Sequence, residues 1–121
     1  MTEPHSLIGH LERTAQTIRD LEAKAQQALN SGDPDEYKSL LERKCETLED
    51  LPQRLAPALN DLPQDQQSSV ESQIAGFAQR AAQALELDSV FFMYALLYPE
   101  TYQPGAPNDL EAFILTLRSS L

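Results

Sequence analysis

Residues 30–34, Asn-Ser-Gly-Asp-Pro, separate two stretches that each repeat with a helical period. Before the joint, Leu7, Leu11, Thr14, Ile18, Leu21, Ala25 and Ala28 recur at alternating steps of four and three. After it, Tyr37, Leu41, Lys44, Leu48, Leu51 and Leu55 do the same. Such spacing places each set on one face of an α-helix. The joint is too short for the second helix to wander, so the two must fold back on each other as an antiparallel hairpin. The chain is therefore expected to be all-α, a helical hairpin extended into a three- to four-helix bundle.

The ends of these helices are marked by residue type. A first helix is expected over 6–29, with Ser6 as its cap and Gly32 just past its end, where a left-handed turn costs little. Asp33 caps the second helix, Pro34 takes its first position and Glu36 is placed to reach back as the capping-box acid. This helix is expected over 34–50. Pro52 and Pro57 then predict a kink or a break, with one short helix or a bent extension to about residue 60, because proline removes a backbone donor and crowds the preceding turn. A third helix is expected over 64–98, with Val70, Ile74, Phe77, Ala81 and Ala84 on its apolar face and an interruption near Asp88-Ser89. Pro99 ends it. Residues 102–107 read as a loop. Asn108-Asp109-Leu110-Glu111 is a second capping box and opens a last helix over 108–121, with Leu110, Phe113, Ile114, Leu117 and Leu121 on one face.

At 121 residues the chain fits one domain. Its net charge of −10 disfavours nucleic acid and anionic lipid as partners, and is compatible with a basic protein partner. The single Cys excludes an intramolecular disulfide. Met1 to His5 lack the basic and apolar regions of a signal peptide. The longest apolar run, Val90 to Tyr98, is about half of what a membrane span requires. A cytoplasmic protein with no membrane insertion is expected.

No constellation announces catalysis. The only histidines, His5 and His10, point about 140° apart on a helix and cannot chelate one ion together. Lys44 beside Cys45 favours a thiolate, but Cys45 sits at the margin of an apolar stripe with no histidine near it in sequence, and reads as a small core-edge residue. Asp33, Asp35 and Glu36 lack the glycine and closing glutamate of a calcium loop, so capping explains them. No phosphate-cradling glycine loop and no serine elbow occurs. The expectation is a protein that is not an enzyme and uses no metal or cofactor.

Two features point to partners instead. Glu42, Glu46, Glu49 and Asp50 form an acidic stripe on the second helix, read either as a solvated face or as a contact for a basic partner. The run from Val90 to Tyr98 is apolar on every side, and six of the eight aromatic residues lie between Phe91 and Phe113. A helix apolar all round needs neighbours all round. Either the core of this chain supplies them, or Phe91, Phe92, Tyr94, Leu97, Tyr98, Phe113 and Leu117 form a partner groove or a homodimer seam.

Residues 28–44, Ala-Leu-Asn-Ser-Gly-Asp-Pro-Asp-Glu-Tyr-Lys-Ser-Leu-Leu-Glu-Arg-Lys, resemble the turn of small flagellar export chaperones of the FlgN and FliT type. There a long helix ends near Gly-Asp and the next carries a Leu-Leu pair, a basic residue and a further Leu. The matching positions are Gly32, Asp33, Leu40, Leu41, Lys44 and Leu48, and the likeness covers the first half of the chain, about residues 7–55. It implies a cytoplasmic chaperone or adaptor that binds rather than catalyses, holding an amphipathic terminal helix of an export substrate. Without it, the residues are equally compatible with a self-associating helical-bundle protein.

Overall fold

The structure, a computed structural model, describes residues 4–120. Six helices follow one another: α1 (Pro4–Asn30), α2 (Pro34–Glu49), α3 (Leu51–Leu59), α4 (Gln64–Leu87), α5 (Val90–Ala95) and α6 (Asp109–Ser120). No strand occurs among the described residues, and the helices pack on one another as an all-α bundle. Leu121 and the leader reading over Met1 to Glu3 lie outside the described residues, as does the side chain of His5.

The joint folds as its residues dictate. Asp33 N donates to the Ala28 carbonyl at 2.9 Å, and Gly32 adopts φ +80°, a left-handed value. Asp33 Oδ1 accepts from Glu36 N at 3.1 Å. The reciprocal half of this capping box is not made, because the Asp33 amide is already taken by Ala28. α1 and α2 form the most extensive pairing in the molecule. Glu22 meets Lys44, and Thr14 meets Arg54 just beyond α2, so the pair runs antiparallel.

Two boundaries differ from expectation, and one is decided between alternatives. Ser6 is not a cap, since α1 already begins at Pro4, where proline's missing donor is harmless. Ahead of Pro52 the helix is interrupted for one residue, and the stretch after it is a short helix of its own: Asp50 stays right-handed (φ −80°, ψ −10°) and α3 follows at once. The interruption at residue 88 is complete. Asp88 takes φ +52°, Ser89 caps α5 by accepting from Phe92 N at 3.3 Å, and α5 ends at Ala95 rather than at Pro99. Leu96 is extended there and Leu97 has φ +79°. A crossover over residues 96–108 then leads to α6. Its capping box is fully reciprocal: Asn108 N donates to Glu111 Oε1 and Glu111 N to Asn108 Oδ1, both at 2.9 Å.

One core joins all six helices, with Leu11 and Ile18 of α1, Leu41 and Leu48 of α2, Leu55 of α3, Ile74 and Phe77 of α4, Met93 of α5 and Leu110 of α6.

Candidate functional site

α5 is too short to surround itself with neighbours. Of its six residues only Met93 is buried, with Val90 half-buried one turn earlier. The helix lies against α2 and α4 on that edge alone. Its other faces are turned to solvent: Phe91 is 73% exposed, Phe92 51% and Tyr94 49%, and Leu87 at the end of α4 adds 63%. The Phe91 and Phe92 rings meet edge to face, with centroids 5.5 Å apart. Beside them opens a cleft of about 370 Å³, walled by Arg80, Leu87, Phe92, Ala95, Leu97 and Pro99 among others. We call this surface the platform.

The residues expected to form one groove or seam divide into groups. Phe91, Phe92 and Tyr94 are on the platform, and Leu97 and Tyr98 line the cleft wall. Phe113 and Leu117 are elsewhere. Both are buried, Phe113 with its ring 5.8 Å from that of Phe77 on α4. The apolar stripe of α6 is spent inside the chain's own core. A run apolar on every side is thus not buried on every side, because a helix of six residues offers too little length for neighbours to cover.

What holds the platform is polar and buried. Lys44, whose side chain has no exposure, meets Glu22 Oε2 at 2.9 Å as an ion pair. Its ammonium also donates to the carbonyls of Tyr94 at 3.1 Å and Leu96 at 3.0 Å. These carbonyls lie at the C-terminal end of α5, where a helix leaves acceptors unpaired and favours a cation. Lys44 therefore ends α5 and ties it to α2. Two hydrogen bonds and one ion pair thus surround the buried ammonium. Burial pushes the Lys44 pKa below the ordinary lysine value, against the opposing pull of Glu22.

Tyr98 extends the clamp. Its hydroxyl donates to Glu22 Oε1 at 2.6 Å, and its ring lies 5.2 Å from Lys44 Nζ and 5.8 Å from the Arg19 guanidinium carbon. Burial, then the Glu22 bond, raises the Tyr98 pKa. Arg19 grips Glu111 through Nη2 at 2.7 Å and Nε at 3.1 Å, and donates from Nη1 to Tyr98 Oη at 3.1 Å. The Glu111 bond raises Arg19 and, in return, holds the Glu111 carboxyl below its usual range. α1, α2, the crossover and the first turn of α6 are thereby joined around one tyrosine.

The sequence carried one sign of this clamp: Lys44 occupies a stripe position where an apolar side chain belongs. Glu22, Arg19 and Glu111 gave no comparable signal. The acidic stripe stays at the surface, with Glu42 half-buried and Glu46, Glu49 and Asp50 exposed; among the described residues none of the four enters a salt bridge. Cys45 is fully buried rather than marginal. Burial outweighs the pull of Lys44 and pushes the thiol up to about 11. His10 is exposed, 2.8 Å from Arg13 Nη2 through Nδ1.

Among the described residues, no three His, Cys, Asp or Glu gather as a metal-holding group, and no helix is long and apolar enough to cross a membrane. Comparison with protein-family models, with curated proteins and with solved structures finds no match for the chain.

Proposed function

We propose that this protein is a non-enzymatic binding module, a cytoplasmic chaperone or adaptor that holds an amphipathic helical segment of a partner protein. The observation that carries the reading is the platform: four large apolar side chains, Leu87, Phe91, Phe92 and Tyr94, exposed within eight consecutive residues and fixed from beneath by Lys44. Isolated exposed apolar residues are ordinary, whereas a contiguous set beside a cleft marks an interaction site. Rigid aromatics lose little freedom on binding and dominate interface energies. A helix presenting anchors at i, i+3, i+4 and i+7 suits such a surface. The assignment to flagellar or secretion-system partners rests on the chaperone-like residues 28–44.

The test is parallel affinity purification from the native cell with the wild type and Phe92→Asp. Phe92 is half exposed, so the substitution leaves the core intact. The wild type is expected to retain a specific partner and the variant to lose it, with an unchanged elution volume for the unbound chain. A wild type that retains nothing specific refutes the proposal. So does a wild-type dimer that the substitution splits, which assigns the platform to a homodimer seam.

A further inference from the structure

We infer that the platform's occupant is an amphipathic helix flanked by Lys or Arg, and not a second copy of this chain. The inference rests on the holding function proposed above and adds the partner's chemistry. Glu86 and Asp88 precede α5 and Glu100 follows the cleft wall at Pro99; all three are exposed. Lys38 on α2 is already paired with Asp88 at 2.8 Å and stands in the field of Asp35 and Glu42 as well. Its charge is more than matched. Arg80, on the cleft side, stacks over the Phe77 ring at 5.2 Å and shares the cleft with Asp109. The surround of the platform is thus net acidic, on a chain whose total charge is −10.

An apolar centre with an acidic rim selects its complement. Basic residues on either side of a helix's apolar face would meet these carboxylates, which speeds encounter and fixes register. A second copy brings the opposite result. In a two-fold interface the same patch meets itself, so the acidic rim of Glu86, Asp88 and Glu100 would be brought against the same rim of the second copy. Like charges so placed act against that pairing. The field also disfavours helices flanked by acids, which are otherwise equally able to fill the cleft.

Two synthetic amphipathic helical peptides share one apolar face, Leu and Phe at i, i+3, i+4 and i+7, and differ only in carrying Lys or Glu at the flanking positions. Their affinity for the full chain is measured by calorimetry at low salt and at about 1 M, where the screening length falls to about 3 Å. Two or three exposed pairs predict about a tenfold preference for the Lys peptide at low salt. That preference should shrink at high salt, and Phe92→Ser should weaken both peptides alike. Equal affinities at low salt, or tighter binding of the Glu peptide, overturn the inference while the holding function stands. Failure of both peptides to bind counts against the holding function itself. A dimer in light scattering that Phe92→Ser dissociates overturns the inference by seating a second copy on the platform.

Discussion

Replacing Lys44 by Met removes a charge while nearly conserving volume, and it isolates the clamp. The Glu22 side chain is only 12% exposed, so losing the ammonium leaves a nearly buried carboxylate to which, among the described residues, only the Tyr98 hydroxyl donates. Breaking one partner of a buried ion pair costs about 3–5 kcal/mol. The carbonyls of Tyr94 and Leu96 lose their donor too, and each orphaned acceptor adds about 1 kcal/mol or more. Against a domain stability of about 5–15 kcal/mol, Lys44→Met should remove a third or more. Urea unfolding measures this. The second variant, Lys44→Met with Glu22→Gln, keeps an acceptor for Tyr98 and removes the stranded charge. It should recover at least about 1 kcal/mol of the loss, a coupling typical of contacting residues. Hydrogen exchange should quicken at residues 93–98 well before the α1–α2 hairpin opens. A loss below about 0.5 kcal/mol, or strict additivity of the two substitutions, would refute the clamp.

Four further outcomes are expected. Gly32→Ala should lower stability by about 1 kcal/mol in a thermal melt, purely through its φ of +80°, since nothing lies within 4 Å of the added methyl. Cys45 should resist alkylation in the native protein at neutral pH and react fully in denaturant; a native rate equal to that of a free thiol contradicts its burial. The same thiol, raised from 9.0 to about 11, stabilises the fold fully below pH 9 and loses that contribution as pH rises through about 11, so Cys45→Ala should flatten this alkaline limb. Glu111 is depressed from 4.5 by Arg19, so its contribution is present above that pH and is lost as pH falls through its lowered folded value. Arg19→Gln should flatten the acid limb of an unfolding titration, and an unchanged acid limb speaks against the pair.

The hairpin was legible because its determinants are local. Gly32, Asp33 and Pro34 each serve a conformational need within a few residues, and the stripes on either side state which faces meet. The end of α5 was not legible for the opposite reason. Lys44, far away in sequence, takes the Tyr94 and Leu96 carbonyls where the helix ends. Pro99 acts one turn upstream of itself, since it has no donor for the Ala95 carbonyl at which α5 ends. Phe113 and Leu117 show the same limit in another form: periodicity identifies an apolar face and is silent about which neighbour covers it. The three residues of that set with large exposure, Phe91, Phe92 and Tyr94, drew notice through composition alone, and their exposure follows from the shortness of α5.

Phe91, with 73% of its surface in water, is the most exposed large apolar residue among the described residues and the most direct reporter of what the platform holds. A photo-crosslinking amino acid placed there, with the exposed Gln16 as a control position, reads its neighbour inside the cell. The expected result is a crosslink, mapped by mass spectrometry, to an amphipathic helical segment of another protein with basic flanking residues, absent from the control. Crosslinks to a second copy of this chain, or none beyond the control, would contradict it.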